Sequence, residues 1–123
     1  MTTESLSYVN NLLTSLNIPY EFGTWSSKVP DTYWTGEYTE IETVDEDRCE
    51  ESMFILTGNT VESKLILETT KEIIKNKLQD GLTAILDSGS AIAVIYSVSN
   101  PIPSIDPTVS RLEIRLRIKE WRC

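Results

Sequence analysis

NTVESKLILETTKEIIKNKLQ, residues 59–79, is the stretch whose reading decides the fold. At about 100° per residue, Ile66, Leu67, Thr70, Ile73, Ile74 and Leu78 share one side, while Glu62, Lys64, Glu68, Lys71, Glu72, Lys75 and Asn76 point elsewhere. The spacing predicts one long amphipathic helix that must lie on something apolar. Asn59 with Glu62 three residues on has the pattern of an N-cap and capping box, and Gly81 is the residue type that tolerates a left-handed cap at the far end. An apolar run, MFILTG at 53–58, precedes the helix and two more follow it, so strands are expected on both sides in the chain.

The run MFILT at 53–57 is apolar at every parity except its last residue, the pattern of a strand covered above and below. LTAIL at 82–86 and AIAVIYSV at 91–98 are separated by DSGS, which predicts a hairpin with a short loop. The cleanest alternation is in SRLEIRLRIKEW at 110–121. Leu112, Ile114, Leu116 and Ile118 face one way, and Arg111, Glu113, Arg115, Arg117 and Lys119 face the other, so this strand has one wet or partner-facing side. Between these elements, NPIPSIDP at 100–107 carries three prolines, which remove donors and fix φ, and predicts a protruding loop or extended arm.

Toward the N-terminus, Leu6, Val9, Leu13 and Leu16 at spacings of three and four predict a first helix over 4–16, stopped by Asn17 and Pro19. A short strand at 20–22 ends at Gly23, and WSSKVPD at 25–31 reads as a loop. From Thr32 to about Val44 the aromatic and β-branched content predicts a strand, with Gly36 as a candidate bulge. DEDRCEE at 45–51 reads as a solvated turn. The fold class is therefore α+β: a mostly antiparallel sheet of five to six strands packed with two helices, in the order α-β-β-β-α-β-β-β.

The 123 residues make one domain, 1–123, large enough to bury roughly two-thirds of its unfolded surface without a staple. Nineteen acidic against eleven basic residues give a formal charge of −8, which opposes non-specific contact with phosphate backbones and anionic membranes. The N-terminal MTTESL has no basic region before an apolar core, and no apolar run reaches membrane-spanning length, so a cytosolic product with no membrane partner is expected. Cys49 and Cys123 are too few and too far apart for a disulfide framework or a zinc site and are expected as free thiols.

The chain contains no histidine, which excludes Ser-His-Asp and Cys-His catalysis and His-containing metal sites. Phosphate-loop, dinucleotide and nucleophile-elbow motifs are missing as well. The segment 37–51 holds eight carboxylates, but a calcium loop begun at Asp45 would place Cys49, Glu50 and Leu56 where a ligand, a glycine and a bidentate acid are required. A hydrated acidic run is also the wrong environment for a catalytic acid of raised pKa. Ser63-Lys64 does not make a nucleophile and base, because adjacent helical residues face apart. No catalytic residue, cofactor or metal is expected. Trp25, Tyr33, Trp34 and Tyr38 form an aromatic-rich segment that suits core and interface packing, with a carbohydrate or base-stacking platform as the sharper alternative.

The basic face of the last strand, Arg111, Arg115, Arg117 and Lys119, is either a solvent side or a stripe that meets the acidic segment of a neighbouring copy head to tail and closes a ring. Taken together, NIPYEF (17–22), KVPDTYWTGEY (28–38), FILTG (54–58) with the helix after it, GSAIAVIYSVSNPIPSID (89–106) and RLEIRLRIKEW (111–121) resemble small structural proteins of tailed-phage and prophage morphogenesis. The likeness is to tail-terminator, tail-completion and head-to-tail joining proteins, and it runs over nearly the whole chain. It implies a non-enzymatic α+β subunit of a ring, commonly a hexamer, whose partners are its own copies, the tail tube and the connector. The implied locations are the bacterial host cytoplasm during assembly and the tail of a virion or phage-like particle. Strand-face charge and loop exposure select Glu40, Glu42, Ile102, Arg115, Arg117 and Lys119 as interface residues. Two other classes fit the same composition: an acidic adaptor or inhibitor of a host protein, and a small carboxylate-dependent enzyme.

Overall fold

The computed structural model describes residues 1–41 and 49–121. It is α+β, with helices α1 (Thr3–Ser15) and α2 (Leu65–Leu78) and strands β1 (Tyr20–Phe22), β2 (Thr32–Ile41), β3 (Cys49–Thr60), β4 (Leu82–Ile85), β5 (Ala91–Ile102) and β6 (Ser110–Trp121). The strands form one six-stranded sheet in the order β1-β2-β3-β6-β5-β4. That sheet is mixed: β1 runs parallel to β2, and the other pairings are antiparallel.

Alternation along β3 and β6 sorts the sheet into two sides. Phe54, Leu56, Leu112, Ile114, Leu116 and Ile118 are buried with Trp34, Ile92 and Val94, and they share one core with Val9 and Leu13 of α1 and Leu67, Ile74 and Leu78 of α2. Both helices therefore cover the same side. Neither α1 nor α2 lies on the side carrying Met53, Ile55, Ile95, Arg115 and Arg117, and these residues are half-buried or exposed. This corrects the expectation that 53–57 is covered above and below. Met53 and Ile55 stand opposite Arg117 and Arg115 in the β3–β6 register, and the long aliphatic stems of those arginines are the cover available to them.

The helix centred on 59–79 begins later than its cap-like residues suggest. Asn59 and Thr60 belong to β3, where they pair with Tyr33 and Thr32 on one flank and Arg111 and Ser110 on the other. Pairing on both flanks outweighs the local cap signal, and α2 starts at Leu65, whose N–H donates to Ser63 Oγ at 3.3 Å. The far end is as expected, with Gly81 at φ +80° and its N–H on the Leu78 carbonyl at 3.0 Å. Gly36 is no bulge, since it stays in register opposite Leu56. A Cβ there would lie 2.7 Å from the Phe54 ring and 2.8 Å from the Tyr20 ring, so the glycine makes room for aromatic packing.

The proline-rich segment divides as well. Asn100, Pro101 and Ile102 continue β5 and pair with Glu113, Leu112 and Arg111 of β6. Proline is tolerated because β4 flanks β5 only from Ala91 to Val94, leaving Pro101 with a neighbour on one side. A register shift between Tyr96 and Val98 moves Val98, Asn100 and Ile102 onto the uncovered side.

Glu120 continues the buried parity of β6 and is only 2% exposed. Its two carboxylate oxygens accept from the Thr2 N–H and the Thr2 hydroxyl, each at 3.2 Å, while Thr2 Oγ1 accepts from the Ser5 N–H as the N-cap of α1. An anion is thus fixed at a helix N-terminus, where the backbone dipole favours it. Glu120→Gln removes the charge and keeps the shape; an expected loss of about 1 kcal/mol would show as a lower urea midpoint with unchanged slope.

Candidate functional site

The loop between β1 and β2 folds over the uncovered side of the sheet and encloses a cleft of about 480 Å³. The loop is built, not slack. Glu21 of β1 accepts from the Ser26 N–H at 3.1 Å and the Ser26 hydroxyl at 2.6 Å, and the Trp25 indole donates to the Lys28 carbonyl at 3.3 Å. Its ends are tied by Gly23 N–H to the Gly36 carbonyl at 2.8 Å and by Val61 N–H to the Asp31 carbonyl at 3.0 Å. Gly23 takes φ +83°, a value only glycine adopts readily, and this turns the chain from β1 into the loop.

Trp25 on the loop and Tyr33 on β2 form a wall, with ring centroids 5.5 Å apart and planes inclined at 56°. The floor comes from three adjacent strands: Thr35 and Glu37 of β2, Thr57 and Asn59 of β3, and Arg111 of β6. Register explains the gathering, because Tyr33 and Arg111 are the two cross-strand partners of Asn59. Arg111 Nε donates to Asn59 Oδ1 at 3.0 Å, which fixes the guanidinium at the cleft. The aromatic segment is therefore split by strand parity. Tyr33 lines the cleft, Trp34 is fully buried, and Tyr38 stacks on Phe22 at 6.1 Å on the helix-covered side.

The interface residues selected from sequence do not converge. Arg115, Arg117 and Lys119 form a row on the uncovered side of β6, but Arg117 Nε donates to Glu51 at 3.1 Å and Arg115 pairs with Glu113. Glu51 and Arg117 are diagonal neighbours across β3 and β6, so part of the acidic segment neutralises the basic row within the chain. Glu40 lies on β2, where it accepts from the Met1 amino group. Glu42 lies outside the described residues, with most of the acidic turn and Cys123. Cys49 is buried at the start of β3. Ile102 is half-buried opposite Arg111 and lines a second cleft, of about 360 Å³, between the start of α2 and the β5–β6 hairpin.

Beyond that cleft the hairpin ends in a turn over 103–109, which takes in the later part of the 100–107 segment expected as a protruding loop or extended arm. Asp106 Oδ1 accepts from the Thr108 hydroxyl at 2.7 Å and the Thr108 N–H at 2.9 Å, and these bonds hold its carboxyl below the ordinary aspartate value. Val109 N–H closes on the Asp106 carbonyl at 3.1 Å. The turn displays Ile105 with no cover at all, at 105% relative exposure. Among the described residues, no helix is long and apolar enough to cross a membrane. No model of a known protein family matches the sequence, and no curated protein matches it either.

Proposed function

We propose that the chain is a non-enzymatic structural subunit that works by ring-like self-association at the joint between tail tube and connector of a phage or prophage particle, as a tail-terminator, tail-completion or head-to-tail joining protein. The particle comes from the sequence resemblance. The observation that supports association is the β5–β6 arm, whose braced turn holds the apolar Ile105 side chain entirely in water. A side chain fixed at the end of a paired hairpin enters a neighbour's recess with little ordering cost, and a contact of tip to a different patch is heterologous, the kind that closes rings. The uncovered side of the sheet supports the same reading, because it offers Met53, Ile55 and Ile95 beside Arg115 and Arg117, which are already paired with Glu113 and Glu51.

Sedimentation velocity on the protein, alone and with tail-tube protein, tests this. Wild type should form a ring-sized species in at least one of the two conditions. Ile105→Asp should remain monomeric in both, while its thermal stability stays within about 0.5 kcal/mol of wild type because the side chain packs against nothing. A wild-type protein that stays monomeric with tube protein present, or an Ile105→Asp variant that assembles normally, sinks the reading.

A further inference from the structure

We propose that the cleft beneath the Trp25 loop is a binding site for a neutral saccharide. This goes beyond the assembly reading and does not rest on it.

The argument starts from what the lining offers. Trp25 and Tyr33 supply aromatic faces, and Val29 an aliphatic one, at a cleft whose remaining side chains carry hydroxyl, amide, carboxylate and guanidinium groups. A pyranose ring has the matching anatomy, with an apolar C–H face that packs on an aromatic ring and a rim of hydroxyls that both donate and accept. Glu37 is an acceptor, Arg111 a donor, and Asn59, Thr35 and Thr57 supply both. The volume of about 480 Å³ falls in the range of small-molecule sites and exceeds what one water cluster needs. The site is also preorganised: the Glu21–Ser26 bonds and the Trp25–Lys28 bond hold the aromatic wall, and the Asn59–Arg111 bond holds the floor, so binding orders little.

Charge decides between ligand classes. An anion would meet Arg111, but it would also meet Glu37 in the same lining and a chain of formal charge −8. A nucleotide carries its base with phosphate and meets the same opposition. One cation and one anion facing a common space suit a neutral ligand that hydrogen-bonds to both.

The test is a titration of the full chain followed by its tryptophan indole N–H signals in a nitrogen–proton correlation spectrum. The probes are glucose, galactose, mannose and N-acetylglucosamine with their short oligomers, and adenosine as the stacking control. At least one saccharide should shift the Trp25 signal saturably, with the signal of the buried Trp34 unmoved and adenosine without effect. Trp25→Ala should abolish the saturable shift of the cleft backbone signals, Trp25→Phe should retain it, and Arg111→Gln should weaken binding about ten-fold. An unmoved Trp34 signal in each variant reports that the fold is intact. The proposal is overturned if no saccharide moves Trp25, if adenosine moves it as strongly, or if saturable binding persists in Trp25→Ala.

Discussion

Gly58→Ala is expected to destabilise the protein by about 3 kcal/mol, a large effect for the addition of one methyl group to a strand. Gly58 is buried near the C-terminal end of β3, directly opposite Trp34 of β2. The indole lies across it, and a Cβ built on Gly58 would sit 2.8 Å from the Cε2, Cζ2 and Cη2 atoms of the ring. Those atoms cannot swing away, because Trp34 is fully buried in a core packed from both helices. The strand must shift or the ring must leave its rotamer, and either costs more than the gain from one buried methyl. The cause is testable by a double-mutant cycle. Trp34→Phe removes the three clashing atoms, together with an indole N–H that has no hydrogen-bond partner among the described residues. In that background Gly58→Ala should cost at least about 1 kcal/mol less than in wild type, and strict additivity would show that the clash is not the cause.

Phe54→Ala is expected to cost about 4 kcal/mol, the middle of the range for a buried aromatic residue, and to do so unevenly across the molecule. Phe54 is fully buried, with Tyr20 and Phe22 of β1 at centroid distances of 6.5 Å and 6.4 Å. β1 has only three residues and pairs with β2 alone, so the aromatic cluster supplies much of what holds it at the edge. The Tyr20 hydroxyl still donates to Asn10 of α1 at 2.6 Å, in surroundings whose burial pushes its pKa well above the ordinary phenol value. One hydrogen bond of this kind is worth roughly 1 kcal/mol and does not replace the lost packing. Amide exchange should therefore accelerate at residues 20–22 and through the Trp25 loop by more than it does in β6, since local opening becomes easier than global unfolding. Uniform acceleration over the whole sheet would instead mean that β1 and the core open as one unit.

Some of this was legible in the sequence and some was not, for identifiable reasons. β6 was read with its true bounds because its two sides differ in chemistry at each step from Arg111 to Lys119, and a period of two is visible without knowing the neighbours. The body of α2 was legible for the same reason at a period near 3.6, and its start was not, since Asn59 and Thr60 are claimed by strands distant in the chain. Glu120 was overlooked although two more steps along the β6 alternation lead to it; nothing in the sequence announces that Thr2 will meet it. Gly36 carried a real signal that was given the wrong cause, because a glycine required by a kink and one required by a neighbouring ring look alike in one dimension. The cleft was half visible: Trp25 and Tyr33 stood out as aromatic, but Asn59 and Arg111 are ordinary polar residues until register sets them side by side. The pairing of Arg117 with Glu51 was likewise hidden, and it balances part of a basic face that the sequence offers either to solvent or to a neighbouring copy.

The parallel pairing of β1 with β2 also determines where the cleft lies. Two neighbouring strands that point the same way oblige the chain to travel back along the sheet between them, and with only residues 23–31 to do it there is no helix to make the return journey. The returning segment must pass above one of two sides, and α1, tied to β1 through Asn10 and Tyr20, already fills the other. A roof over the bare side is thus a by-product of strand direction. The recess beneath it persists for as long as β1 keeps its orientation, and trimming the loop would pull the edge strand from the sheet before it widened the mouth.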